Sequence, residues 1–465
     1  MQILIIGAGS IGSSVAETLV NEANDITIVD VDEERISELQ HKFDLRGIVG
    51  DAASPKVLTQ AGANDADMII AVTASDKTNM AVCLLASRLF NIPTRIARVR
   101  NSELRSYPRL LAEEGFQITS TIWPEEALTN TILRLIEFPE AMQIQDFAEG
   151  KASLFAVRAV AGSPLVGRPV SNLAVHLPKV PARIVAIFRR NRRLELDAST
   201  VVESGDEVIA LAAGRDVRRV ISEFRRHESP VRRIIIGGDH ELTMQLAQAL
   251  NGPDSRRSYD IKVIVDDDTE IAEKPDKTLP VIGSMCDEET LENLNIDACD
   301  LFIALGPRDE DNIMGALLAK KKGARSVIAL TNNKTYSDLM QGTQIDITVS
   351  MTQATISELL RHVRRGDVVA AYSLRRGLAE ALEVVAHGNA KSSRVVGRRL
   401  KDIPLPEGVS IAAIVRESNI DDEPRVMMAS SGLTIEPEDH VILFVPNKRM
   451  IPQVEKLFTV DVGFF

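Results

Sequence analysis

Residues 2–12, QILIIGAGSIG, constrain the fold more than any other stretch of the chain. Gln2 to Ile6 form a largely apolar run without alternation, the pattern of a strand buried on both faces of a parallel sheet. Gly7, Gly9 and Gly12 complete G-x-G-x-x-G, and Ile11, Val15 and Leu19 follow at helical spacing. Strand, turn and helix in that order predict a phosphate-binding unit of the Rossmann type. Gly7 turns the chain, Gly9 admits a pyrophosphate against the backbone, and Gly12 lets helix and strand approach closely. The N–H groups at the helix start then face phosphate oxygens. Asp30 closes the next apolar run, DITIVD, 18 residues beyond Gly12. A carboxylate there takes the hydroxyls of an adenosine ribose and repels a 2′-phosphate, which favours NAD, ATP or ADP over NADP.

Strand and helix patterns go on alternating up to a long helix over 124–138, which predicts a doubly wound α/β domain. RGIVGD ends at Asp51, ADMIIAVT ends at Thr73 beside Ala74, and TRIARVR carries Arg98 and Arg100. Thr73 with Ala74 falls at the edge where open α/β sheets bind ligands, while Arg98 and Arg100 suit either a phosphate or a solvated rim. From about Ala141 short strands between turn signals, a GDEV turn and the helix DVRRVISEFRR predict a small α+β unit with nothing catalytic in it.

The chain then starts over. VRRIIIGGD returns to a buried strand with glycines, and Gly237 lies 230 residues beyond Gly7. KVIVDDD repeats ITIVD, with Asp266 in the place of Asp30. RDEDNIMGALLA repeats SDKTNMAVCLLA, pairing Asp309 with Asp76 and Asn312 with Asn79. The small unit recurs too, SPLVGRPV as SRVVGRRL and SGDEVIALA as PEDHVILFV. Four units are expected, large and small in alternation: 1–138, 141–227, 230–365 and 368–465.

The second copy departs from the first. Aligned on Gly237, its fingerprint reads Gly237, Gly238, Asp239, His240, Glu241 and Leu242, which puts Asp239 and Leu242 at the second and third glycine positions. Acids in an anion-binding turn repel phosphate, and Ser284 and Leu330 replace Asp51 and Arg98. Intact dinucleotide binding is not expected there. The run Asp266, Asp267, Asp268 reads as a hydrated turn, and no metal site is expected.

Composition narrows the partners. A net charge of −12 over 465 residues argues against a nucleic-acid backbone or an anionic lipid face, and 4% aromatic residues with a single Trp123 argue against base-stacking platforms. No apolar run approaches the roughly 20 residues that cross a bilayer, and no signal peptide is visible, so a cytoplasmic protein is expected. Cys83, Cys286 and Cys299 are widely spaced and read as reduced core thiols.

Two function classes fit a nucleotide turn. An NAD-dependent oxidoreductase needs an acid or base beside the nicotinamide. The segment after the first domain offers only His176 and His227, neither in a recognisable motif. A ligand-sensing regulator needs no catalytic partner. The strings GAGSIG, NDITIVD, KFDLRGIVGD, SDKTNM, RIARVR, DFAEGK, ATISELLRHVRR, SLRRGLAEALEVVAHG and SRVVGR cover nearly the whole chain. By them it resembles the peripheral regulators of bacterial Trk-type potassium uptake, built from tandem potassium-conductance-regulator (RCK) domains. That resemblance implies a non-enzymatic, homotetrameric ring that senses NAD(H) and ATP or ADP. It also implies docking on a membrane-embedded potassium-translocating subunit at the inner face of the membrane. Carried over by position, it places phosphates at Gly7, Ala8, Gly9, Ser10, Ile11 and Gly12, ribose at Asp30, the adenosine side at Thr73 and Ala74, and a phosphate at Arg98. Arg100 is then aimed at a neighbouring subunit's nucleotide, and Gly237 to Glu241 with Asp266 are the doubtful counterparts. The basic stretches ATISELLRHVRRGD and SLRRGLAEALEVV, with His362 and His387 near them, suit either a membrane partner or plain domain packing.

Overall fold

In the computed structural model, residues 1–20, 24–112, 114–190, 192–226, 229–238, 240–252, 258–265, 278–340, 344–363, 368–375, 379–417 and 424–460 are described. The opening apolar run forms β1 (Gln2–Ile6), buried from Ile3 onward. It is joined by β2 (Asp25–Asp30), β3 (Arg46–Val49), β4 (Met68–Ala71), β5 (Thr94–Arg98) and β6 (Ser120–Ile122). The order is β3-β2-β1-β4-β5-β6 and every pairing is parallel. Strand order reverses between β1 and β4, and a crevice opens there beyond the carboxyl ends. A second parallel sheet, from Arg233–Gly238 to Ile347–Val349, repeats the same order.

Two five-stranded antiparallel sheets complete the fold, one from Ala141–Phe147 to Glu207–Ala213 and one from Val368–Leu374 to Asp439–Val445. They share one strand order. Two doubly wound parallel-sheet domains, each followed in the chain by a small α+β domain, are the architecture expected from the repeats. SLRRGLAEALEVV supplies the last two residues of strand Val368–Leu374 and all but the last of strand Ala379–Ala386 in the last sheet. Among the described residues no helix is long and apolar enough to cross a membrane.

A buried acid locks each small domain. In the GDEV turn Asp206 takes Arg189 Nε at 2.8 Å and Nη2 at 2.9 Å, and Nη2 also donates to the Val201 carbonyl. In the repeat Asp439 takes Arg416 Nε at 2.7 Å and Nη2 at 2.8 Å, with Nη2 on the Thr434 carbonyl. Asp206 and Asp439 are 1% and 0% exposed. A charge so deeply buried is tolerable only when its partner binds it in this bidentate way.

The compact units do not follow the two halves of the chain. One unit joins Met1–Pro124 with Thr352–Phe465, and the other is Glu125–Met351. The first unit is held by the helix Met351–Val363, whose Ile356, Leu359, Leu360 and Val363 are buried in one cluster with Ile3, Ile5, Val15 and Ile122 of the first sheet. The same cluster runs on through Val368, Leu382, Val441 and Phe458 of the last small domain. Polar contacts set the seating: Trp123 N–H donates to Glu358 Oε2 at 3.3 Å, and His362 Nδ1 lies 3.1 Å from Ser120 Oγ. The described part of ATISELLRHVRRGD, 354–363, therefore serves domain packing through its apolar face.

Cys83 and Cys299 are buried, and burial pushes both thiols up to about 12. Cys286 is exposed, against expectation. The buried place in SMCDEE goes to its neighbour Met285, which packs on Gly237 and Gly315.

His362 supplies a pH test. Arg361 Nε donates to its Nε2 at 3.0 Å, so the proton sits on Nδ1, and burial, with the Arg361 charge beside it, depresses the group from 6.5 to about 4. The unfolded chain binds this proton first, so stability is full above about pH 6.5 and declines toward about pH 4. The melting temperature is expected to fall across that window, and less steeply in His362→Gln. Asp439→Ala, which leaves Arg416 uncompensated, is expected to cost about 3–5 kcal/mol in chemical unfolding.

Candidate functional site

The first glycine turn is shaped by close approach. Gly7 has φ +104°, and a Cβ there would stand 3.0 Å from Thr73 N at the end of β4. At Gly12 a Cβ would fall 1.8 Å from the Gly7 carbonyl oxygen, so no larger residue fits this turn as built. Gly9 is the opposite case: a Cβ would meet nothing nearer than Arg35 Nη1 at 4.0 Å. Open space at Gly9 is a cradle of the kind a pyrophosphate fills. The helix Ser10–Val20 starts here, and among the described residues the N–H groups of Gly9, Ser10 and Ile11 find no backbone acceptor. Those N–H groups and the helix dipole favour an anion. Ser10 is exposed, whereas Ala8 and the Ile11 side chain are buried, so Ile11 can offer a ligand its backbone alone.

Asp30 ends β2 beside the turn. Its Oδ2 accepts the Ala8 N–H at 2.5 Å and its Oδ1 the Asp32 N–H at 2.9 Å. The carboxylate thus ties the turns after β1 and β2 together, and each oxygen retains a lone pair for a ribose hydroxyl. Asp51 is exposed and caps its own turn, Oδ1 taking the Ala53 N–H at 2.9 Å.

Across the crevice, buried Asn79 joins the strand ends. Its Oδ1 accepts from Thr73 N at 3.0 Å and Thr73 Oγ1 at 2.7 Å, and its Nδ2 donates to the carbonyls of Thr73 and Arg98 at 3.2 and 2.9 Å. Asp76 Oδ2 accepts from the N–H groups of Arg100 and Asn101 at 3.0 and 2.9 Å. Thr73 and Arg98 are half-buried at the strand ends, while Ala74 and Arg100 are exposed. The structure thus gathers Gly7 to Gly12 with Asp30 on one side and Thr73 with Arg98 on the other.

Three supporting residues were not singled out from the sequence as site residues. Ser13 Oγ donates to the Ala8 and Gly9 carbonyls at 2.9 and 2.6 Å and so fixes the turn. Asn79 was visible only as a residue retained in both copies. Arg35, paired with Asp32 at 3.1 Å, brings a guanidinium over Gly9. Nothing in the linear pattern marks a cation five residues past Asp30 as a neighbour of the turn.

The second copy aligns one residue differently than expected. Ile6 pairs with Val29 and Ala71, and its counterpart pairing with Ile264 and Ala304 is Gly237. The turn glycine matching Gly7 is therefore Gly238, with φ +135° and a Cβ position 2.2 Å from Gly306 N. His240 then stands where Gly9 does, Thr243 where Gly12 does, and Val265 where Asp30 does. Sequence alone mistook the offset because both residues of the Gly237–Gly238 pair read as the turn. Glu241 is exposed in the first turn of the helix His240–Asn251, so the chain's own acid faces the anion-favouring end. Asp239, Asp266 and His227 lie outside the described residues. What both copies keep is the lock: Asn312 binds Gly306 N and O and the Leu330 carbonyl, and Asp309 accepts from Asn332 and Asn333 N–H. Among the described residues no group of three or more His, Cys, Asp or Glu is placed to hold a metal ion.

Known proteins show the same division. The TrkA-N domain matches residues 3–117 and 234–351, and the TrkA-C domain matches 154–225 and 390–459. A relative from Halomonas elongata, named Trk system potassium uptake protein TrkA, is 46% identical over 468 residues, covering 100% of both chains. The crystal structure of the GsuK RCK domain superposes with a TM-score of 0.59 at 15% identity, over 98% of this chain and 94% of that one. A GsuK channel bound to NAD gives 0.58 at 16% identity, over 98% and 79%. At such identities the structural likeness is one of fold.

The two glycines should separate in experiment. Gly9→Ala, facing open space, is expected to melt like the parent. Gly12→Ala, driven into the Gly7 carbonyl, is expected to lose about 1–3 kcal/mol in chemical unfolding. Equal stability of the two variants would contradict this reading of the turn.

Proposed function

We propose, for a chain that belongs to the TrkA family of potassium-uptake proteins, the role of a nucleotide-sensing regulatory subunit. It gates a membrane-embedded potassium-translocating partner and does no chemistry on its ligand. The observation that carries this reading is full-length relationship to a Trk uptake protein combined with one complete glycine cradle and one altered copy. The ligands proposed are NAD(H) and ATP or ADP, with Gly7 to Gly12 around phosphates, Asp30 on ribose, Thr73 and Ala74 beside the adenosine, and Arg98, Arg100 and Arg35 supplying positive charge. A homotetrameric ring is part of the proposal, and so is recruitment to the inner face of the membrane by a protein partner, since the charge of −12 disfavours attraction to anionic lipid. No observation favours the oxidoreductase alternative. His176, its described candidate base, is bonded to Glu223 Oε2 at 2.6 Å and Arg168 Nη1 at 3.0 Å.

The first unit offers a route from ligand to domain. Arg98 pairs with Ile122 in β6, and Trp123, next in the chain, donates to Glu358 on the helix Met351–Val363. A phosphate that draws on Arg98 therefore acts two residues from the seat of that helix. Ligands differing in phosphate number or position make different contacts there, and only such a difference shifts a conformational equilibrium.

The test uses the full chain. Asp30→Ala and Gly9→Glu are each expected to weaken NADH and ATP binding at least about tenfold in calorimetry. A strain carrying Gly9→Glu is expected to lose nucleotide control of potassium uptake. Unchanged binding in both variants overturns the site, and unchanged uptake in a strain without the chain overturns the role.

A further inference from the structure

At the opposite ends of the strands, the second parallel sheet carries an open cavity of ≈ 840 Å³ whose lining includes Arg232, Arg233, Arg325, Asp300, Ser229 and Ser258. Asp300 is its fixed point. This buried carboxylate takes the N–H groups of Arg232 and Arg233 on Oδ2 at 2.9 and 2.8 Å, and Arg325 Nη1 lies 3.1 Å from Oδ1. Arg325 Nη2 donates to the Ser229 carbonyl, while its Nε is buried with no hydrogen-bond partner. Arg233 is more than half exposed and only 3.9 Å from Asp300, and the exposed Arg232 guanidinium has no partner among the described residues.

The first domain is an internal control for which of these groups the fold requires. There Asp67 Oδ2 accepts the Gln2 N–H at 2.8 Å, the same bond that Asp300 makes with Arg233. By strand register Met1, Gln2 and Pro93 occupy the places of Arg232, Arg233 and Arg325. The acid is thus a feature of this sheet edge, and the three guanidiniums are not. Asp260 at the rim offsets one charge, and Asp300 is committed to backbone N–H groups and Arg325. A concave cluster of arginines in a chain of net charge −12 attracts anions where the rest of the surface repels them.

We propose that this cavity is an anion site for a phosphate group, distinct from the glycine turn. Arg232 and Arg233 bind the phosphate, Arg325 backs them, and the hydroxyl of Ser258 is available as a further donor. Guanidinium forks match phosphate oxygens in pairs, and the volume lies within the range of small-ligand sites. The phosphate comes from a soluble phosphorylated molecule or from a lipid headgroup. The two sources share this chemistry and separate experimentally.

The experiment compares full-length Gly9→Glu protein with the same protein carrying Arg232→Met and Arg233→Gln, the residues the first domain uses at these places. Matching melting temperatures and circular dichroism establish that both fold. Inorganic pyrophosphate is titrated calorimetrically, and phosphatidylcholine vesicles with and without phosphatidic acid are tested by co-sedimentation. Binding weakened about tenfold by the two substitutions supports the proposal, assigning a soluble ligand if seen with pyrophosphate and a headgroup if seen only with phosphatidic acid. Equal binding by both proteins, or none to either probe, overturns it. Nucleotide affinity at the first turn, measured without Gly9→Glu, is expected to be unchanged by the arginine substitutions, so failure here is separable from failure of the nucleotide reading.

Discussion

The seating of one helix governs how this chain is put together. Met351–Val363 buries Ile356, Leu359, Leu360 and Val363 in a cluster shared by the first parallel sheet and the last small domain. Each such side chain contributes about 1.5–3 kcal/mol on full burial. Apolar burial has no direction of its own, so the contacts of Trp123 with Glu358 and of Ser120 with His362 supply the register. Through this helix a chain written as two consecutive halves divides into units of another kind, in one of which the first parallel domain is grouped with the second small domain. Its placement also ties it to the first crevice, because β6, against which the helix is registered, pairs with the strand that ends at Arg98.

Duplication lets the molecule serve as its own comparison. Contacts required by the fold recur in both copies: Asn79 and Asn312 tie strand ends, Asp76 and Asp309 hold the following turn, and Arg189 and Arg416 clasp Asp206 and Asp439. Contacts that differ mark where the copies have diverged. Among the described residues the first alone has the open Gly9 cradle and a carboxylate at the end of its second strand. The second places His240, Thr243 and Val265 there and carries arginines at its far edge.

Sequence by itself determined the two parallel-sheet domains, the two small domains and the glycine cradle, because each rests on local pattern. An unbroken apolar strand, a tight turn and a helix specify one another within a dozen residues, and the repeat supplied a second reading of every element. It also predicted that the second turn had changed. Tertiary structure decided the rest. The pairing of Ile6 and Gly237 with matching partners moved the turn glycine to Gly238, since register is set by hydrogen bonds to neighbouring strands and not by the spacing of glycines. Arg35 came to lie over Gly9 and Arg325 beside Asp300 because helices and strands distant in the chain end at the same edge of a sheet. The grouping of residues 1–124 with 352–465 was likewise invisible in the order of the chain, because apolar faces specify that they must be covered and leave the choice of cover to the packed whole.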